Sequence, residues 1–369
     1  MKAKRAVLAG FYPPPFAGEP VHVMQLARLL RDRGLTVEIL NLNRQASPSR
    51  QHRSSLSRLG LLWRLFWVAD AASILHLHTN GHSRKSWLMI LVTGLAGRVR
   101  GVTAILTVHS GLLPGYVAGF GRFRRRLARW ILRSFTRVIC VNPEICRSLK
   151  RLGIGGSRTA VIPAFLGVPD APELSASDRA LIAAYHPLLV AVAGGEGDPE
   201  AGLAVVLRAV QRLVPLYPGL GAVLMGWQVG AKTRPLIVDL GLTDHAVCLG
   251  EVPHDRCLAL LRASNVTVRS TFVDGDAITV REALAFGVPV VASDTDFRPE
   301  GVTLFRRGDV SDLVAKLGQV LARPVGGSSS REPTNEQSAA IWQLYTELMG
   351  AENPTSGLVQ PPPRPTAST

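Results

Sequence analysis

Long apolar runs are missing from this chain. The longest, Trp87–Ala96, is broken by Thr93 and Gly94 and falls well short of the ~20 residues that a membrane-spanning helix needs. The basic start, Met1–Arg5, is followed by only a short apolar run, Ala6–Ala9, before Gly10 and Pro13–Pro15. It reads as a first strand and not as a secretory signal. Cysteine is scarce. Cys140, Cys146, Cys248 and Cys257 match neither a zinc-ribbon spacing nor a dense disulfide framework, so they are expected as buried free thiols in a reducing, cytoplasmic compartment. Acidic residues are nearly missing from one half: through Phe165 there are 26 Lys and Arg against 5 Asp and Glu, and beyond it 16 against 22, within an overall +15. The basic half must meet something acidic. The aromatic-interleaved patterns and motifs of nucleic-acid modules are absent, so nucleic acid is not expected as a partner. An anionic membrane surface or a phosphorylated lipid fits the charge as well.

What is present is enough for two cores. A chain of 369 residues, 47% hydrophobic, supports two ordinary α/β domains. Short β-rich runs alternate with helical patterns at Ala6–Ala9, Thr36–Leu40, Ile74–Leu77, Ala104–Val108, Val138–Val141 and Ala160–Ile162, the signature of parallel βαβ units. A second alternation follows at Leu188–Ala193, Ala222–Met225, Ala246–Leu249, Val266–Val268, Pro289–Ala292 and Val302–Phe305. The expected organisation is an N-terminal Rossmann-like domain over 1–165, a linker over 166–187 and a second Rossmann-like domain over 188–322. A linker with a C-terminal helix over 323–350 and a disordered tail over 351–369 complete it.

The most specific passage runs from Val268 to Ser293. A strand ends, an acidic loop with Gly275 turns, a helix begins near Ile278, and Gly287-Val288-Pro289 stops it and launches another strand. A helix N-terminus with free amides then lies at the C-terminal edge of a parallel sheet, where anionic ligands bind in such folds. Asp274 falls in the loop and Glu282 about one turn into the helix. Both carboxylates can face one cleft and accept hydrogen bonds from the hydroxyls of a sugar and a ribose. The plain alternative is that Asp274 and Asp276 cap the helix and Glu282 is solvated.

In this passage the chain resembles the family-4 retaining glycosyltransferases, through Glu282-Ala-Leu-Ala-Phe-Gly-Val-Pro-Val-Val-Ala-Ser293. Asp274 stands where that family usually has a first glutamate. The resemblance implies the GT-B fold, an α/β architecture of two Rossmann-like domains facing across a cleft, with the C-terminal helix crossing back to the N-terminal domain. It further implies that Glu282 holds the donor ribose, and that Asp274, Gly275, Asp276, Ala277, Ile278 and Thr279 hold the donor sugar and phosphates. The segment Pro13–His22 resembles the family's opening loop, in which glycine lets backbone approach substrate; here Gly18 remains and Glu19 follows. Thr107-Val-His-Ser-Gly111 resembles a segment whose histidine lines the sugar site, which makes His109 and Asp274 the expected catalytic residues. His76, His78 and His82 have near-metal spacing, but the family carries such a His-x-His strand end without metal. No metal and no cofactor are implied, since the nucleotide sugar is a substrate.

The resemblance has one large departure. An arginine and a lysine that bind the donor diphosphate in the family are replaced here by Gly195 and Ala201. Arg269 and Arg281 flank the acidic loop and are the candidate substitutes, because a guanidinium can pair bidentately with phosphate oxygens. The implied activity is transfer of a hexosyl group from a nucleotide sugar to a glycan or lipid-linked acceptor, with retention of configuration. Two rivals stay open: a silent GT-B subunit that binds donor or partner, and a nucleotide-sugar epimerase on the same scaffold. A location on the inner face of the cell membrane is expected from Arg122–Arg137, where Phe123, Leu127, Trp130, Ile131 and Phe135 recur at helical spacing between arginines, and from the aromatic patch Leu62–Trp67.

Overall fold

A computed structural model of the chain describes residues 5–43, 58–70, 73–167, 172–194, 198–322 and 336–350. The first six β-rich runs form one all-parallel sheet: β1 (Arg5–Gly10), β2 (Thr36–Asn41), β3 (Ser73–Thr79), β4 (Thr103–Val108), β5 (Arg137–Cys140) and β6 (Thr159–Val161), in the order β2-β1-β3-β4-β5-β6. Their period-two alternation divides the core. Val7, Ala9, Leu75 and Leu77 pack on one face, and Ala6, Leu8, Ile74 and Ile105 on the other. A sheet buried on both faces needs such near-continuous apolar strands.

The second sheet is built alike from β7 (Leu188–Val192), β8 (Gly221–Met225), β9 (Ala246–Gly250), β10 (Val266–Arg269), β11 (Val290–Ser293) and β12 (Val302–Phe305). Its order is β12-β11-β10-β7-β8-β9, again parallel throughout. Chain order reverses direction between β1 and β3 in the first sheet and between β7 and β10 in the second. Those reversals open crevices at the strands' C-terminal ends, where ligands bind in such sheets.

The helix Glu336–Leu348 returns to the first domain, where Ile341, Leu344 and Tyr345 are buried with Leu8 and Ile74. The segment read as a linker is not all irregular. Ser175 caps a helix at Ala176–Ala183, and its buried Asp178 takes bidentate hydrogen bonds from Arg256 at 2.6–3.1 Å. The tail over 351–369 lies outside the described residues. Among the described residues, no helix is long and apolar enough to cross a membrane.

The amphipathic stretch after Arg122 divides its apolar residues. Its helix ends at Leu132; Ile131 and Phe135 are buried in the core, whereas Phe123, Leu127 and Trp130 are exposed. Ile131 and Phe135 are therefore core residues and not part of an outward apolar face, because their positions turn toward the sheet. Trp63 and Trp67, on the helix Arg58–Trp67, are also exposed. The helix Arg84–Arg100 packs against both of these helices. It sets Arg98 5.6 Å from the Trp130 ring centre and Arg100 4.4 Å from that of Trp67.

Candidate functional site

A cavity of ≈ 490 Å³ opens between the C-terminal ends of the two sheets. From the second domain it takes the end of β7, the end of β10, the acidic loop and the first turns of the helix Ile278–Ala285. From the first domain it takes the turn before the helix Gly18–Asp32 and the residue after β4. The acidic loop lies so close to the first domain that a Cβ at Gly275 would fall 1.7 Å from the His109 carbonyl oxygen, and one at Gly111 2.3 Å from that of Asp274. Only glycine permits that approach. Asn142 Nδ2 donates to the Gly275 carbonyl and the Ala164 amide donates to Asp276, so the loop is stitched across the interdomain boundary.

Gly18, His109, Arg269, Asp274, Gly275, Asp276, Ala277, Ile278, Thr279 and Glu282 all line this cavity. Arg281 does not. Its Nε donates to both oxygens of Asp276 at 2.7 and 2.9 Å, and its guanidinium lies 5.9 Å from the Phe297 ring centre. An arginine one position before Glu282 points to another side of the helix. Ala201 sits in the helix Pro199–Leu213 outside the cavity wall, and Gly195 lies outside the described residues.

Asp274 is not a bare carboxylate. Arg269 donates to both of its oxygens at 2.8 and 3.0 Å, Arg298 adds a bond at 2.7 Å and Thr271 Oγ1 another at 2.5 Å. Burial pushes its carboxyl up, but the Arg269 charge and bonds, with Arg298, outweigh this and hold it well below the usual carboxylate range. Oδ2 takes three of these bonds and Oδ1 one, so the carboxylate is held largely within the protein while still lining the cavity. Asp276 goes the other way, raised because burial outweighs Arg281. Two guanidinia on one carboxylate leave the Arg269–Asp274–Arg298 group with a net positive charge, and of the two Arg269 faces the cavity.

Glu282 is fully buried, and its Oε1 is paired with His254 Nε2 at 2.7 Å. Glu282 Oε2 and His254 Nδ1 are both buried without a partner, a condition that costs about 1–3 kcal/mol for each group unless something binds there. Both residues line the cavity. His254, Arg298, Trp227, Gln228 and Glu251 were not among the residues the sequence singled out. Of these, Gln228 carries a backbone signal, φ 59°, a left-handed conformation uncommon for a non-glycine residue.

Histidines crowd the first-domain wall, but not in the spacing that the sequence suggested. His76 is spent on Tyr345 Oη and Thr107 Oγ1, and His82 on Ser110 Oγ. Instead His22, His78 and His109 converge: one ring nitrogen of each lies within 4.8 Å of the other two. Burial, together with neighbouring histidines, holds His76, His78 and His109 well below the ordinary value. His22 is brought down to about 4 by burial, partly offset by its bond to the Ala164 carbonyl.

With this geometry in view, comparison with known proteins is direct. Residues 17–166 match the family described as Glycosyltransferase Family 4, and residues 183–332 match Glycosyl transferases group 1. A phosphatidyl-myo-inositol mannosyltransferase of Mycobacterium leprae is 25% identical over 325 residues, 80% of this chain and 79% of that one. Among solved structures, a sucrose-phosphate synthase from Thermosynechococcus elongatus superposes with a TM-score of 0.67 at 20% identity, covering 95% of this chain and all of that one. The Anabaena protein HepE, solved with UDP-glucose, superposes with a TM-score of 0.65 at 15% identity over 93% of this chain and 99% of its own.

Proposed function

From the premise that this chain belongs to the family-4 glycosyltransferases of the GT-B fold, we propose that it transfers a hexosyl group from a nucleotide diphosphate sugar to a membrane-delivered or lipid-linked glycan acceptor, with retention of configuration. The observation that carries the donor assignment is the orphan Oε2 of Glu282, buried at the cavity wall. A ribose hydroxyl supplies the hydrogen bond that this carboxylate lacks. The diphosphate then lies across the amides that open the helix Ile278–Ala285, where the helix dipole and unsatisfied N–H groups favour an anion. Arg269, backed by Arg298, replaces the absent arginine and lysine. HepE's complex with UDP-glucose supports a donor of this kind.

The chemistry follows from charge placement. The bond from the anomeric carbon to the phosphate oxygen breaks, and the acceptor oxygen bonds to the same carbon from the same face. The departing diphosphate oxygen takes the acceptor proton. Catalysis then rests on orientation and on stabilising the leaving group, with no enzyme nucleophile and no metal required. His109, held neutral by burial, offers the sugar hydroxyl a hydrogen bond.

The acceptor side of the reading rests on Phe123, Leu127, Trp130, Trp63 and Trp67, which stand exposed among arginines on neighbouring helices of the basic domain. Aromatic side chains enter a lipid interface while each nearby cation adds about 1 kcal/mol on an anionic leaflet. The mannosyltransferase relative carries a phosphatidyl-inositol in its name, which supports a lipid acceptor. Calorimetry with UDP, GDP and ADP, followed by turnover of the radiolabelled sugar of the nucleotide that binds on a bacterial lipid extract, tests both parts. Binding with label in the lipid fraction is expected. Nucleotide binding without turnover on any acceptor would establish a silent subunit.

A further inference from the structure

Three imidazoles meeting in a buried wall are unusual when none is bonded to a carboxylate. His22, on the helix Gly18–Asp32, donates Nδ1–H to the Ala164 carbonyl at 2.6 Å, which leaves the lone pair on Nε2. A backbone carbonyl on the far nitrogen is the support that metal-ligating histidines commonly have, because it fixes tautomer and ring orientation. The His22 ring centre lies 5.3 Å from that of His78 and 5.1 Å from that of His109. His78, at the end of β3, is fully buried. Its Nδ1 is 3.2 Å from His109 Nε2. Two nitrogens about 2.0–2.1 Å from one tetrahedral ion stand roughly 3.3–3.4 Å apart, so that pair already has the spacing of two ligands on one ion. Close packing seats His78 firmly: a Cβ at Gly10 would fall 2.9 Å from its own Cβ.

We propose that His22, His78 and His109 form a binding site for a borderline divalent cation of the Zn²⁺ class. Imidazole nitrogens without carboxylates select such ions over Mg²⁺ or Ca²⁺, which prefer oxygen ligands. The site adjoins the cleft, because His109 is the member of the three that lines the cavity. Occupation therefore withdraws His109 from the sugar hydroxyl. Resting on the role given to His109 above, the ion acts as an inhibitor of transfer, released by chelation.

Titration of the metal-free full-length chain with Co²⁺ tests binding without any donor or turnover. One equivalent is expected to give the intense visible d–d bands of tetrahedral Co²⁺, displaced by one equivalent of Zn²⁺. His22→Gln and His109→Asn should each weaken binding by at least 10- to 100-fold, since even loss of an outer-sphere support costs that much. His245→Ala, outside both sites, should leave it unchanged. Folding of each variant is read by circular dichroism, and His109→Asn, at the cavity wall, disturbs the core least. Absence of the bands, or binding that neither variant weakens, overturns the site. UDP calorimetry in EDTA reports the donor reading independently, so the two ideas fail separately. If Zn²⁺ binds at the three histidines yet leaves turnover unchanged, the inhibitory role is overturned.

Discussion

Replacing Asp274 by asparagine separates a structural counter-ion from a substrate contact. In the native fold this carboxylate is about 6% exposed and pairs with two guanidinia, Arg269 and Arg298, themselves nearly buried. Asparagine keeps the shape but removes the charge, leaving two buried cations without their shared carboxylate. Removing one partner of a buried pair costs about 3–5 kcal/mol, equivalent to a fall of roughly 6–20 °C in melting temperature for a domain of this size. The pH dependence has a definite sign. Asp274 has its folded pKa depressed below the unfolded value, so its contribution is complete above that value and is lost only as pH falls below it. The difference between native chain and variant should therefore be flat between about pH 5 and about pH 8 and shrink only in acid. Differential scanning calorimetry across that range is the assay. A variant that melts within about 0.5 kcal/mol of the native chain, the usual effect of a surface substitution, would refute the buried-network reasoning and restore Asp274 as a free sugar ligand.

Glu282→Gln should keep the fold but weaken UDP by roughly 10- to 150-fold, if its charged hydrogen bond to ribose is worth about 1.5–3 kcal/mol; unchanged affinity by calorimetry would remove it from the site. Arg256→Ala exposes Asp178 to burial without its guanidinium, and should cost about 1–3 kcal/mol in urea unfolding, discounted toward the lower end because Arg256 is partly exposed. Changing Arg122, Arg124 and Arg126 to Glu should abolish sedimentation with anionic vesicles at low salt without altering UDP binding. Arg129 is left intact because its Nε holds the Leu152 carbonyl at 2.8 Å. If the native chain itself ignores anionic vesicles, the acceptor is a soluble glycan.

Local pattern determined much of this protein. All twelve strands among the described residues were legible because a parallel sheet covered on both faces writes itself as short apolar β-branched runs, and turn residues mark their ends. The passage around Glu282 was legible too, since a strand, a glycine-bearing loop and a helix start are consecutive in the chain. What a side chain meets was not. Asp274 and Arg298 are 24 positions apart, Glu282 and His254 28, and His22 reaches His109 only because crossovers return β3 beside β1 and β4 beside β3. Periodicity placed Ile131 and Phe135 on a helical stripe with Phe123 and Trp130, but only packing against the sheet decided which of them turned inward. Sequence spacing fixes neighbours within one element, at intervals of two or of three to four. The pairing of charges, the orphan carboxylate oxygen and the meeting of three imidazoles depend on which elements the two sheets bring together.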